Sequence, residues 1–538
     1  MPSLKGIILD VAGRRQFNGE VVIGNGKIES VTDTGADVPQ QYILPGFVDS
    51  HIHIESSMLV PTEFARMAVR HGTVATVSDP HEIANVCGKE GVEFMIQNGR
   101  QVPFKFHFGA PSCVPATPFE TAGASLNVQE VAELLDRDDI FYLAEMMNWP
   151  GVLHDDPEVK AKIEAARNRN KPVDGHAPGV KGKDAEKYAS AGISTDHECF
   201  TREEALDKIK AGMNIAIREG SAAKNYEALV SLLEDHPDKI MFCSDDKHPD
   251  DLLLGHINQL ACRSLAYGYN LMDILNACCV KPVQHYNMNV GLLQPGDPAD
   301  FIVIDDLKAM SVSQTWIDGE PVFQNDTATF PSVDCNPINN FTSNNLTPED
   351  FILPPDKSEF PVIQAYDGEL ITGKTFEKLS SSNGNVPPDT GRDILKVAVV
   401  NRYEKAAPSV GFIQNFGIKN GAIASSVAHD SHNIIAVGSS EKWLNEVVNL
   451  VMEAHGGIAA VGPGQKEVLS LPVAGLMSDR PGPEVASGYE KLNNIAAEIG
   501  STMKAPFMSI SFMALLVIPS LKISDKGMFD GEKFEFVG

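Results

Sequence analysis

The 538-residue sequence predicts an α/β protein built on a (β/α)₈ barrel, with a β-layer shared by the barrel's two flanks and a separate C-terminal domain. Three observations carry this. Eight short apolar runs, each followed by a helix-length amphipathic stretch, recur between residues 45 and 286. Histidines and acidic residues stand at the ends of those runs, where such barrels place their chemistry. A different strand pattern starts near residue 376, and a chain of this length exceeds what one core absorbs.

Taken in order, residues 6–10 and 19–24 read as strands, and Asn25-Gly26 is a hairpin turn signal, so residues 1–44 open the β-layer. Residues 43–48 read as the first barrel strand; runs at 72–78, 104–108, 140–145, 171–176, 193–197, 213–218 and 239–245 supply the other seven, giving a barrel over 45–286. The turn-rich segment 291–305 enters a buried strand and returns the chain to the β-layer. Residues 287–375 therefore complete that layer and include a surface connection, 325–358, rich in Asn, Pro, Ser and Thr. Strands near 395–400, 433–438 and 457–461 and a helix over 441–453 make residues 376–538 an α/β or α+β domain.

Composition narrows the function. Against 44 basic residues stand 72 acidic ones, and a net charge of −28 repels polyanions, which excludes nucleic acid and anionic membranes as expected partners and favours a small neutral substrate. No apolar run is long enough to span a bilayer and the N-terminus lacks a signal-peptide pattern, so a cytoplasmic protein is expected. The eight cysteines show no C-x-x-C pair and read as reduced, buried side chains. A homodimer is the default for a large cytosolic enzyme.

The strand ends carry the chemistry. His51 and His53, two residues apart beyond an apolar run, point to one face and can hold one cation together. Glu145, His176, His197 and Asp245 end later strands, and strand ends converge on the barrel axis, so the set suffices for two metals. Glu145 is the natural bridge between them; its alternative is a buried carboxylate paired with the barrel wall. Because side chains alternate, only one of Asp245 and Asp246 is expected to point inward. Asp245 is assigned that place, to accept and return a proton during attack by water, with Asp246 behind it. In Ser78-Asp79-Pro80-His81-Glu82, His81 adds an imidazole to the same rim and Asp79 reads as a helix cap. Arg218 reads either as a substrate contact or as a structural salt bridge. His71, His107, His154, His236 and His285 are expected to be surface or capping groups.

These residues resemble the amidohydrolase superfamily and, within it, the bacterial and archaeal adenine deaminases. The carrying motifs are Leu-Pro-Gly-Phe-Val-Asp-Ser-His-Ile-His-Ile-Glu-Ser-Ser-Met (44–58), Ser-Asp-Pro-His-Glu-Ile-Ala-Asn-Val (78–86), Asp-Gly-His-Ala-Pro (174–178), Thr-Asp-His-Glu (195–198) and Phe-Cys-Ser-Asp-Asp (242–246). Val-Ala-His-Asp-Ser-His-Asn-Ile-Ile (427–435) and Leu-Pro-Val-Ala-Gly-Leu-Met-Ser-Asp (471–479) extend the likeness to the C-terminal region. The resemblance implies a metal-dependent (β/α)₈ TIM barrel carrying a composite β-sandwich. It also implies hydrolysis of adenine to hypoxanthine and ammonia with two divalent metals, Mn²⁺ or Fe²⁺. The same ligands also accept Zn²⁺. By the family pattern His51 and His53 bind one metal, His176 and His197 the other, Glu145 bridges them, and Asp245 joins the first metal. Asp245, His81 and Glu145 are then the catalytic groups. Ser57, Glu82, Arg218 and His432 are the expected substrate contacts, with His429, Asp430 and His432 forming either a lid over the barrel mouth or a local turn. The competing expectation is another dinuclear amidohydrolase, of the hydantoinase or dihydroorotase kind, acting on a cyclic amide. A barrel that has lost catalysis is disfavoured because all six candidate ligands are present.

Overall fold

The chain begins in a sheet that the barrel interrupts. In the computed structural model, which describes residues 2–343 and 345–537, strands β1 (Ser3–Asp10), β2 (Arg15–Gly24), β3 (Lys27–Asp33) and β4 (Tyr42–Pro45) lead directly into the first barrel strand. Asn25 and Gly26 both take positive φ, 54° and 76°, in the turn between β2 and β3.

The eight barrel strands are β5 (Phe47–Ile52), β6 (Thr73–Ser78), β7 (Lys105–Ala110), β8 (Tyr142–Met146), β9 (Val173–Gly175), β10 (Thr195–Asp196), β11 (Asn214–Arg218) and β12 (Ile240–Cys243). Apart from Lys105 and Phe106 every residue in them is buried, as expected for parallel strands covered on both faces. Strands β5 to β9 pair in one parallel ladder and β10 to β12 in another. Two sets of bonds close the ring. Ser194 N–H donates to Val173 O at 2.9 Å, and at the other seam Asp245 N–H donates to His51 O (2.9 Å) while His53 N–H donates to Asp245 O (3.3 Å).

A buried carboxylate reinforces that second seam. Asp49 Oδ1 accepts the N–H groups of Ser244 (3.0 Å) and His51 (3.3 Å). Its Oδ2 accepts the Ser244 hydroxyl and lies 2.8 Å from His256 Nε2. A charged acceptor with four partners offsets the desolvation that burial imposes on it.

After the barrel, β13 (Phe301–Asp306), β14 (Ser311–Ile317), β15 (Glu320–Gln324) and β16 (Thr327–Ala328) rejoin the N-terminal strands. The result is one eight-stranded sheet of order β16-β15-β14-β13-β4-β1-β2-β3, in which β13 runs antiparallel to β4 with Phe301 opposite Pro45.

The C-terminal region is built on a second eight-stranded sheet. Its strands are β17 (Phe360–Gln364), β18 (Gly373–Glu377), β19 (Ile394–Val400), β20 (Ser409–Gln414), β21 (Ala422–Ser425), β22 (Ile434–Gly438), β23 (Gly457–Gly462) and β24 (Gln465–Ser470). It starts earlier than residue 376. β17 and the beginning of β18 lie before that point and pair with this sheet, a tertiary choice that their short, half-polar sequences do not announce. Alternation gives the sheet two working faces. Ala398, Val400, Ala424 and Ala436 pack under the helix Glu441–Glu453, whereas Val397, Val399, Ile423 and Val437 belong to the core that continues into the barrel. A hairpin-like sheet of β25 (Leu521–Ser524), β26 (Gly527–Asp530) and β27 (Glu535–Phe536) ends the chain.

Candidate metal centre and substrate cavity

One carboxylate gathers the histidines at the barrel mouth. Glu145, on β8, turns Oε2 towards His176 Nδ1 (2.9 Å), His197 Nε2 (3.0 Å) and His51 Nε2 (3.8 Å), and Oε1 towards His53 Nε2 and His81 Nδ1 (both 3.5 Å). His51 Nε2 and His53 Nε2 face each other at 3.2 Å, with Asp245 Oδ1 3.3 Å from the latter. All of these side chains are buried.

Two ring nitrogens aimed at one another beside a carboxylate form a donor set shaped for a cation. The tautomer agrees: His53 Nδ1 lies 3.2 Å from the carbonyl oxygen of Asp79, so its N–H is spent there and the Nε2 lone pair faces the cluster. His51, His53 and Asp245 make one potential ligand group, and Glu145 with His51 and His197 makes another. The residues fit divalent cations.

Asp245 reaches the cluster through a backbone irregularity. It has φ of 55°, a left-handed conformation uncommon outside glycine, and the side-chain alternation fails there. Asp245 and Asp246 consequently both line the cavity, correcting the expectation that only one points inward. Asp246 Oδ1 accepts the Ser56 hydroxyl at 2.6 Å, and the same hydroxyl is 2.9 Å from Glu82 Oε1.

The charges are set by neighbours. Burial opposes ionisation of Glu145, but His176 and His197 pressed against it hold it well below the usual carboxylate range. For Asp245 burial is outweighed by Arg218 and then by His53. Burial lowers His176, yet Glu198 and Glu145 lift it to about 9. His81 is likewise raised well above an ordinary histidine against the effect of burial, by Asp79 and by Asp430, whose Oδ1 lies 3.7 Å from His81 Nε2.

A cavity opens over this cluster. Its floor is the barrel mouth with Glu82, Glu145 and Asp245, and its roof comes from the C-terminal region: Leu370, His429, Asp430, Phe512 and Leu515. Of the expected substrate contacts, Glu82 lines the cavity and keeps Oε2 free of any hydrogen-bond partner. Arg218 lines it too, but its guanidinium is held by both oxygens of Glu198 and by Asp245 Oδ2. Ser57 is turned away: it sits in the 3₁₀ turn Ile54–Ser57 and its hydroxyl donates to Ile54 O at 2.6 Å. His432 stands behind the lining, where Ala428 N–H approaches its Nδ1 at 3.3 Å. His107, expected as a surface or capping group, is buried and stacks on Phe141 with ring centroids 3.9 Å apart.

Sequence reasoning passed over Asp49, His256, Leu370 and Phe512. The first two carry a weak signal as polar residues beside apolar runs, and the last two carry none, being apolar residues like many others.

A family model described as the amidohydrolase family matches residues 42–322, and one described as the adenine deaminase C-terminal domain matches 369–535. Curated relatives named adenine deaminase align end to end. That from Salinibacter ruber is 53% identical over 99% of this chain and 98% of its own, and that from Methanosarcina mazei is 51% identical over 100% and 99%. This chain belongs to the adenine deaminase family. A solved N-acetyl-D-glucosamine-6-phosphate deacetylase from Mycobacterium smegmatis is similar over 60% of this chain and 100% of that one, with 16% identity and a TM-score of 0.48. Membership of the adenine deaminase family joins a divalent-metal amidohydrolase barrel to the C-terminal domain that roofs it here. No helix among the described residues is long and apolar enough to cross a membrane.

Proposed function

We infer that this protein hydrolyses adenine to hypoxanthine and ammonia. The observation that carries the reading is the convergence of His51, His53, His176, His197 and Asp245 on the single carboxylate of Glu145, in a chain aligned end to end with relatives named adenine deaminase. The cyclic-amide alternative has no comparable support.

In this reading His51, His53 and Asp245 would hold one divalent cation, His176 and His197 would hold a second, and Glu145 would serve both. Such cations, when bound, lower the pKa of water towards about 7 and supply a nucleophile at neutral pH. The chain's own groups manage the protons. As oxygen adds to C6, Asp245 Oδ1 takes one proton of the water and returns it to the departing amine, so that the C6–N6 bond breaks and ammonia leaves. The other proton of the water ends on ring nitrogen N1. Glu82 is placed for that transfer: burial raises its pKa against the opposing pull of His429, and its Oε2 is unpartnered. His81, cationic between Asp79 and Asp430, stabilises negative charge on the oxygen at C6.

The test is ammonia release from adenine with ultraviolet detection of hypoxanthine, on enzyme loaded with Mn²⁺ or Fe²⁺ and on stripped enzyme. Metal content without adenine turnover overturns the substrate. The reading also includes two metal equivalents per chain, a homodimer and a cytoplasmic location; metal analysis, light scattering and cell fractionation test these.

A further inference from the structure

Lys522, on β25, is fully buried, and its Nζ donates to two backbone carbonyls: Leu370 O at 2.5 Å and Phe512 O at 2.9 Å. Among the described residues no carboxylate lies within ion-pairing distance of it. A buried lysine without an acid is costly compared with a methionine of similar length, so its presence calls for a role that a hydrocarbon cannot fill.

The two carbonyls supply that role, because both belong to residues whose side chains roof the cavity. Leu370 lies in the strap between β17 and β18, and Phe512 follows the helix Pro506–Ser511. These segments are remote in sequence. The strap is fastened on its other side as well: Ala223 N–H donates to Gly368 O at 3.1 Å, and Gly368 N–H to Ser509 Oγ at 3.0 Å. The Phe512 ring in turn rests near His429, centroids 5.6 Å apart.

Apolar contacts have no direction of their own. Two side chains carried on separate loops keep a slot of fixed width only if their backbones are fixed, and one amine with several N–H groups can fix both from a single point. We propose that Lys522 is a positioning residue: it ties Leu370 and Phe512 into one apolar roof and thereby sets how tightly the cavity grips a flat heteroaromatic base. This rests on the adenine reading above. Burial pushes its pKa down to about 7, and the neutral amine still has two N–H groups for the two carbonyls.

The experiment is a double-mutant cycle of K522M and F512A on metal-loaded, full-length enzyme, read as KM and kcat for adenine. K522M is expected to raise KM about tenfold with kcat within a few-fold, the mark of lost binding shared by ground and transition states. The double variant is expected to be little worse than F512A, because Lys522 acts through Phe512. An unchanged KM in K522M, even with a lower Tm, overturns the proposal, and so do effects that simply multiply. Should K522M fail to fold, K522Q, which is shorter but polar enough to sit among carbonyls, enters the same cycle and is read in the same way. A wild-type enzyme inert towards adenine sinks the function; an active wild type with an indifferent K522M sinks only this inference.

Discussion

Arg218 Nη1 lies 2.5 Å from Asp245 Oδ2, so one oxygen of that carboxylate is committed to a guanidinium while the other faces His53. The bond both orients Asp245 and keeps it ionised. Arg218→Met is expected to lower kcat about 10- to 100-fold, the usual effect of losing a group that orients a ligand. It also strands Glu198, so stability should fall by about 3–5 kcal/mol. Steady-state kinetics and chemical denaturation measure the two effects; a variant with normal kcat would show that Asp245 needs no such orientation.

Glu145→Gln keeps the shape but removes the charge that five imidazoles face. The variant should retain at most one metal equivalent and less than about 1% of wild-type turnover, the scale on which one metal's share of catalysis is lost. Metal analysis beside the adenine assay checks this, and two tightly held equivalents in an active variant would disprove the bridge.

Chelation should abolish turnover and lower Tm, because cations that bind only the folded chain stabilise it by mass action. Re-addition of Mn²⁺ should restore both. Thermal scans of stripped and reloaded protein decide the matter.

The His81–Asp430 contact predicts a pH effect. In the proposed mechanism His81 works protonated, so activity should fall as pH rises past its pKa, and Asp430 helps to keep that pKa high. Asp430→Asn should therefore move the alkaline limb of the kcat/KM profile to lower pH, leaving the acid limb in place. An unmoved limb assigns it to another group.

Lys522 gives a stability effect in the same direction as a carboxylate whose pKa is lowered on folding, opposite to that of a lysine that gains an acidic partner. Its folded pKa is about 7 against about 10.5 for an ordinary lysine, so between those limits the unfolded chain holds more protons than the folded one. Stability contributed by this group rises with pH across that window. Denaturation midpoints at pH 7 and pH 10 should diverge less in K522M than in wild type.

The barrel and the cluster at its mouth were legible because most of the strands switch abruptly from apolar to ionisable residues, and a parallel strand has to end where its chemistry is displayed. The misreadings have local causes. Alternation failed at Asp245 because one residue adopts φ of 55°. His107, expected as a surface or capping group, is buried because barrel strands are covered on both faces. Ser57 falls in a 3₁₀ turn that aims its hydroxyl back at Ile54. The roof was invisible for a different reason: Leu370 and Phe512 carry no chemistry of their own, are remote in sequence, and have their carbonyls gathered by Lys522.

The seam between β5 and β12 has a consequence for biosynthesis. His51 and His53 leave the ribosome among the first residues of the barrel, whereas Asp245 and the Ser244 partner of Asp49 are synthesised at its end. Until that last strand docks, the ring is open and His51 and His53 lack Asp245. In the reading proposed above, the donor set around His51 and His53 would therefore be complete only late in synthesis, and a nascent chain stalled short of residue 245 would hold them without their aspartate.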